Sequence, residues 1–320
     1  MLNYRIFQSR YRFEGTLTLE TALHIGTGKV ATLTDSPILR DAAGRPLIPG
    51  SSLKGAFRAA VSRLAPNLGE TIQICDPFGA DDFCISSQNG KKNKDYQAVK
   101  RFVNKNLSSQ AADADSKEAR EALARFGHTE WIGNEISEAN LLKLLDENLC
   151  PVCKVFGSPY YAAKAHFDDL PVKEDFNVTE IRDGVGIDRD SERAIDKIKF
   201  DFEVVPAGTT FKFGLTLENP SEQDKGLVAI GLREMEEGMI RLGGIRSRGL
   251  GVCRLTLEKM EELNLADTKQ LMAYLINRNN GKKGEKIDEA ERARRLEAEQ
   301  AHIQAFFAEA IASLFTPPEE

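Results

Sequence analysis

Leu23 to Leu64, L-H-I-G-T-G-K-V-A-T-L-T-D-S-P-I-L-R-D-A-A-G-R-P-L-I-P-G-S-S-L-K-G-A-F-R-A-A-V-S-R-L, decides how this chain reads. A strand runs into a glycine-bearing loop, and a lone acid, Asp35, stands just before Ser36-Pro37. After a turn at Gly44, Pro49-Gly50-Ser51-Ser52 opens an amphipathic helix. Leu53, Ala56, Phe57, Ala60, Val61 and Leu64 recur at helical spacing and form one apolar stripe. Lys54, Arg58 and Ser62 fall four residues apart on another face. Ser51 or Ser52 is placed to accept from the first backbone N–H groups, which makes the helix start an anion site flanked by a lysine and an arginine. The plain alternative is a capped helix with a solvated basic face.

A second segment favours the anion site. Gly243-Gly244-Ile245-Arg246-Ser247-Arg248-Gly249-Leu250-Gly251 lies between an expected helix, about Lys225 to Leu242, and an expected strand, Val252 to Leu257. Four glycines in nine residues leave backbone N–H groups open to close approach by a phosphate chain. Arg246 and Arg248 add charge-assisted contacts. From Ile240 to Arg254 there are four arginines and no acid. An ordinary helix-to-strand turn needs one glycine.

Outward from these segments, Tyr11, Phe13, Leu17 and Leu19 alternate as in a strand, as do Phe200, Phe202 and Val204, and Phe211, Phe213, Leu215 and Leu217. Pro206-Ala207-Gly208 between the last two runs predicts a hairpin. The order β-α-β-β-α-β predicts an α+β fold with a ferredoxin-like or RRM-like core over residues 1–74 and 154–257. Residues 75–153 form an insertion: Ser86 to Lys94 reads as a polar loop, while Ser116–Arg125 and Glu138–Glu147 read as helices. Residues 258–320 form a helical C-terminal extension. In it, Asn277 to Gly284 is a basic loop, and Ile303, Phe306, Phe307, Ala310, Ile311 and Leu314 make a stripe expected to dock on the protein itself.

The chain has 320 residues and a net charge of −6, which argues against indiscriminate nucleic-acid binding but not against a local basic track. Residues 1–63 carry nine Lys/Arg against four Asp/Glu. No run of about 18 apolar residues suits a membrane span, and Met1 to Arg12 is too charged for a secretory signal, so a cytoplasmic protein is expected.

Cys150-Pro151-Val152-Cys153 has the spacing with which two thiolates grip one tetrahedral Zn²⁺, and Cys75 and Cys84 supply a second pair. Cys253 alternates with Leu255 and Leu257 and reads as a small hydrophobe, while His128 is a spare ligand. A structural zinc would tie down an insertion poor in apolar residues. Gly26-Thr27-Gly28-Lys29 is not a phosphate loop, since no glycine stands five residues before Gly28 and no Ser or Thr follows Lys29. H-E-x-x-H and G-x-S-x-G are absent. His24, His128, His166 and His302 are scattered and read as structural or surface residues, and Asp168-Asp169 reads as a turn. Asp35, beside a phosphate-binding helix start, could hold a divalent ion at a scissile phosphate or orient a ribose 2′-OH. An ordinary aspartate, with a pKa of about 3.9, is a poor base near neutrality, so metal binding is the more economical role. The plain alternative is a cap for the Ser36-Pro37 turn.

Leu23-His24-Ile25-Gly26, Asp35-Ser36-Pro37-Ile38, Arg40-Asp41, Ile48 to Gly55, Thr179 to Asp190, Lys199 to Thr209 and the Gly243–Gly251 loop together resemble the RAMP superfamily of CRISPR proteins. Within it, the resemblance is to the repeating backbone subunit of type III CRISPR–Cas effector complexes, here of a variant system. The similarity covers about Tyr11 to Leu257. It implies a modified RRM-like core, with CRISPR guide RNA, single-stranded target RNA and other effector subunits as partners. It implies target cleavage at Asp35 with Mg²⁺ or Mn²⁺, and a thumb β-hairpin at about 176–200 that pushes between bases of the guide–target duplex. Val185 and Ile187 would wedge, Arg182 and Arg189 would contact backbone, and Ser51, Ser52, Lys54, Arg58, Arg246, Ser247 and Arg248 would hold RNA. A non-catalytic structural or capping subunit of the same complex is the alternative.

Overall fold

The computed structural model describes residues 6–28, 34–68, 72, 74–75, 84–85, 91–104, 114–131, 137–173, 178–187, 190, 194–277 and 289–315. They divide into two compact units, Met1–Phe7 with Leu64–Lys164, and Gln8–Arg63 with Ala165–Glu320. In chain order the elements are β1 (Ser9–Leu19), β2 (Leu47–Ile48), α1 (Gly50–Leu64), α2 (Lys91–Asn104), α3 (Ala114–Arg125), α4 (Glu138–Asn148) and α5 (Pro151–Phe156). There follow β3 (Ala165–Phe167), β4 (Leu170–Pro171), β5 (Glu180–Ile187), β6 (Ala194–Val204), β7 (Thr210–Glu218), α6 (Glu222–Glu236), β8 (Cys253–Asn264), α7 (Thr268–Asn277) and α8 (Glu289–Ala312).

The larger unit is built on an antiparallel sheet of order β3-β7-β1-β8. β1 carries the alternation that places it there, since Tyr11, Phe13, Gly15, Leu17 and Leu19 are buried and the residues alternating with them are not. α1 packs Phe57 against Phe167, with ring centroids 5.1 Å apart. α6 opens on a reciprocal cap in which Ser221 N–H donates to Asp224 and Asp224 N–H donates to Ser221 Oγ. The apolar stripe of α8 docks on the same sheet face: Phe306 lies 5.3 Å from Phe13, and the Arg233 guanidinium stands 4.1 Å over Phe307. On the opposite face Arg10 reaches Tyr274 of α7.

The β-α-β-β-α-β order of a split β-α-β fold is thus present, with one correction. The run Phe200–Val204 is not the core's second strand and makes no hairpin with β7. That strand is β3, three residues long and too short to show a period, whereas β6 pairs with β5 in a separate two-stranded hairpin. The turn at Pro206–Gly208 carries the chain from this hairpin back to the core, where Gly208 N–H donates to Leu19 O and Leu19 N–H to Thr209 O.

The smaller unit is helical. α3 and α4 contain the two expected helices, but α2 begins at Lys91, inside the segment read as loop; Ser86–Gly90 lie outside the described residues. Arg125 ties α3 to α2 through two bonds to Asp95, at 2.6 and 2.9 Å. Val99, Phe102, Ala122, Leu123, Leu144, Leu145, Val155 and Phe156 are buried, so this segment has more apolar core than its composition suggested.

Candidate catalytic loop, nucleic-acid surface and metal centre

Residues 34–38 lie alongside β6 at the root of the β5–β6 hairpin. Ser36 forms a parallel bridge with Phe202, and Glu203 N–H donates to Ser36 O at 3.0 Å. Asp35 is exposed on this loop. Its N–H donates to Asp201 Oδ1 at 2.8 Å, and its own Oδ2 accepts from Asp201 N–H at 3.1 Å. The carboxylate therefore does not cap its own turn; Ser36 N–H goes to Thr34 Oγ1. Asp35 Oδ1 has no protein partner among the described residues.

Two buried side chains fix the loop from behind. Glu203 accepts from Ile38 N–H at 3.0 Å, from Thr179 Oγ1 at 2.5 Å and from Arg40. Burial alone would raise this carboxyl, but the bonds from Thr179, Ile38 N–H and Arg40, with the Arg40 charge, outweigh it and hold Glu203 below the usual glutamate range. His24, read from sequence as structural or surface, is buried and stands between segments. Nδ1 lies 2.6 Å from Glu203 O, Nε2 lies 3.1 Å from Ser36 Oγ, and its carbonyl accepts from Gly244 N–H at 2.9 Å. One histidine thus joins the Asp35 loop, β6 and the glycine loop.

That contact revises why the glycine loop is rich in glycine. Gly243 (φ +76°) and Gly251 (φ +82°) have no room for a Cβ, which would run into the carbonyls of His24 and Leu242. The N–H groups of Gly244, Arg248 and Gly251 donate within the protein, to His24, Ile245 and Ala22. Two glycines therefore serve close packing of the loop on the core, and side chains are left to face outward. Arg246, Ser247 and Arg248 form one exposed 3₁₀ turn. Before it, Ile245 adopts φ +56°, ψ +27°, a conformation that a β-branched residue rarely takes. Its side chain packs on Ala22, Phe202, Val204 and Leu250.

The start of α1 differs from expectation. The helix begins at Gly50, so Ser51 and Ser52 lie inside its first turn and do not cap it. Asp169, read as part of a turn, accepts the Gly50 N–H at 2.7 Å, while Asp168 pairs with Arg12 at 2.6 Å. A carboxylate already occupies part of the helix start, so the anion site there reduces to the side chains. Lys54 is half-buried, and its pKa is lowered first by burial and then by Arg58, one turn on. Such a pair gains from an anion between its members. Ser51, Ser52, Lys54 and Arg58 make no hydrogen bond or ion pair with Asp35.

On the β5–β6 hairpin, Val185 is exposed, and Arg182 is exposed beside Glu180 at 3.2 Å. Ile187 pairs with Ala194 through the backbone. Arg189 lies outside the described residues.

In the smaller unit Cys75, Cys84, Cys150 and Cys153 bring four buried sulfurs within 4.8 Å of one another. Cys75 Sγ is 3.6 Å from Cys150 Sγ and 3.4 Å from Cys153 Sγ, near the separation of about 3.8 Å that a tetrahedron with Zn–S of about 2.3 Å requires. α5 positions two of them: Cys150 is its N-cap, accepting from Cys153 N–H at 3.4 Å, and Cys150 N–H donates to Cys84 Sγ. Hydrogen bonding to Cys153 and Cys75 brings Cys150 down to about 7 against the opposing effects of Cys84 and burial, and the bonds from Cys150, Cys153 and Cys75 lower Cys84. Cys153, bonded to Cys150, Cys75 and Cys84, is pushed up. Four thiols so close cannot all ionise without a cation among them, and the donor set fits zinc. His128 is not a ligand; it is stacked on Trp131 and bonded to Glu130 and Glu147. Cys253 is buried on β8, its thiol pushed to about 12 by burial and by Glu20.

No helix among the described residues is long and apolar enough to cross a membrane. The sequence matches the RAMP superfamily over residues 16–254. It is similar to the protein named "CRISPR system Cms endoribonuclease Csm3" of Methanocaldococcus jannaschii, at 28% identity over 89% of this chain and 91% of that one. The protein of that name from Mycobacterium tuberculosis is 25% identical over 76% of this chain and 85% of its own length. The Enterococcus italicus protein of that name is 41% identical over 59 residues, 17% of this chain and 28% of its own. With three-quarters of its length matched, and with the sheet order and the clustered motif segments described above, the chain belongs to the RAMP superfamily.

Proposed function

We propose that this chain is a guide-RNA-binding backbone subunit of a type III CRISPR effector complex, and that in the assembled complex it cleaves guide-paired target RNA at Asp35. The observation that carries the reading is the placement of Asp35: an exposed carboxylate with one unpartnered oxygen, at the root of a two-stranded hairpin, on a loop held from behind by His24 and Glu203. The hairpin acts as the thumb, with Val185 and Ile187 wedging between bases and Arg182 and Arg189 on backbone. Lys54 and Arg58 of α1, with Ser51 and Ser52, hold ribose-phosphate, as do Arg246, Ser247 and Arg248. Base pairing with the guide supplies sequence choice.

In cleavage the chain positions a carboxylate against the target strand and keeps its loop from moving. A bound Mg²⁺ or Mn²⁺ would supply Lewis-acid stabilisation of charge at the scissile phosphate, and Asp35 Oδ1 is the oxygen that would hold it. Zn²⁺ on Cys75, Cys84, Cys150 and Cys153 is structural. The names of the similar Csm3 proteins support the nuclease reading.

Asp35→Ala in the reconstituted complex tests it. Cleavage of paired target should vanish while guide and target affinities stay within twofold. Cutting at the wild-type rate would instead leave a structural or capping subunit.

A further inference from the structure

We infer that Asp201 is a positioning residue for Asp35, fixing both the backbone and the carboxylate orientation of that side chain. This inference rests on the reading of Asp35 as the cleavage residue. The parallel bridge at Ser36–Phe202 and the bonds from Glu203 and His24 hold residues 36–38. They do not reach the backbone N–H or the carboxylate of residue 35. Both are held by Asp201: its carboxylate takes the Asp35 N–H, and its N–H takes Asp35 Oδ2. The two residues close a small ring that fixes the backbone at Asp35 and its side-chain rotation together, and so sets the direction of Oδ1.

Aspartate is not the residue that strand preference or its cross-strand neighbour would select at this position. Aspartate is disfavoured in strands. In register on β5, its direct cross-strand neighbour is Asp183, and like charges placed opposite one another destabilise a hairpin. Asp35 brings a third carboxylate to the same place. A residue that breaks local preference this way is expected where function requires it. What function requires here is an acceptor for one N–H, strengthened because the acceptor is charged. Asparagine offers the same acceptor oxygen without the charge.

The test uses the full complex assembled on guide RNA, with single-turnover cleavage of paired target in Mg²⁺. Asp201→Ala should cut about 10- to 100-fold more slowly, the scale of loss expected when a reacting group is misplaced by about 1 Å. Its target affinity should stay within twofold and its cut spacing should be unchanged. Asp201→Asn should recover to within about fivefold of wild type, as retention of the acceptor requires. Wild-type cutting by Asp201→Ala, or Asp201→Asn as slow as Asp201→Ala, would overturn the inference. So would a loss of cutting matched by a loss of target binding. Asp35→Ala run in parallel separates the two claims: if it is inactive while Asp201→Ala is normal, only the positioning role falls; if it cuts normally, both fall.

Discussion

The cysteine cluster of the smaller unit and the Asp35 loop of the larger one each bring together residues far apart in sequence, and they are held differently. Cys75 and Cys84 are fixed against the start of α5 by four sulfur atoms within 4.8 Å, a set that calls for one multivalent cation. The Asp35 loop is fixed by neutral and charged hydrogen bonds from His24, Glu203 and Asp201, each already made within the protein. With a cation bound, the first arrangement would make the local fold depend on a metal. The second keeps one carboxylate oxygen clear for an outside ligand. A structural centre closes its coordination, whereas a working site leaves part of it open.

Metal removal should produce the largest effect and would break the comparison if it did not. A strong chelator, or Cys150→Ala, should strip one zinc per chain and expose the smaller unit to proteolysis. The loss is set by a site whose apparent binding energy is on the order of 10 kcal/mol in small zinc domains. The unfolding transition of the larger unit should be retained. Elemental analysis with limited proteolysis checks both, and a metal-free chain with a protected smaller unit would show that its apolar core suffices alone.

In the larger unit the corresponding test is Glu203→Gln. One carboxylate oxygen is replaced by a donor that faces the Ile38 N–H or Arg40, and a buried donor left unmatched costs about 1–3 kcal/mol. The sign of its pH dependence follows from the lowered pKa. The stabilisation from Glu203 is present above the unfolded glutamate value of 4.5 and is lost as pH falls through the lower folded value. Denaturant unfolding should therefore show a gap between wild type and variant that is full at pH 7 and narrows in acid. A gap independent of pH would mean that shape, not charge, is what Glu203 contributes.

These two regions were also unequally legible. C-x-x-C states its geometry in its spacing, and only the exclusion of His128 needed the fold. β1 and β7 showed their alternation openly. Asp35 stood out in its loop, but its partners did not. Asp201 and Glu203 alternate with Phe200, Phe202 and Val204, so they read as the solvent face of a strand; nothing in that pattern says that a loop more than 160 residues earlier covers it. The same alternation misled the hairpin assignment, because β5, the true partner of β6, has too few apolar residues to declare itself, and β3 is only three residues long. The glycines of the 243–251 loop were noticed for phosphate access, whereas two of them are required by the carbonyls of His24 and Leu242.

The side chains proposed to hold RNA should show smaller effects. If Lys54 and Arg58 each neutralise one phosphate of a single strand, the double change to alanine should lower the slope of log affinity against log salt by about 1.4. RNA binding by the full chain at several salt concentrations measures it. An unchanged slope would leave α1 as a helix with a solvated basic face. The closed cysteine centre, by contrast, should be insensitive to salt.

The smallest expected effect is at Ile245, and it lies in the order of two variants. Both Ile245→Ala and Ile245→Gly remove the packing on Ala22, Phe202, Val204 and Leu250, so that loss cancels between them. What differs is the backbone. Alanine keeps the cost of a left-handed conformation, about 1–2 kcal/mol, while glycine relieves it and loses about 0.5–1 kcal/mol through its freer unfolded chain. Glycine should therefore be the more stable of the two by about 1 kcal/mol or less, the reverse of the usual ranking. Paired denaturant midpoints would read the difference. Alanine ahead of glycine would mean that Ile245 is not held left-handed in the free protein.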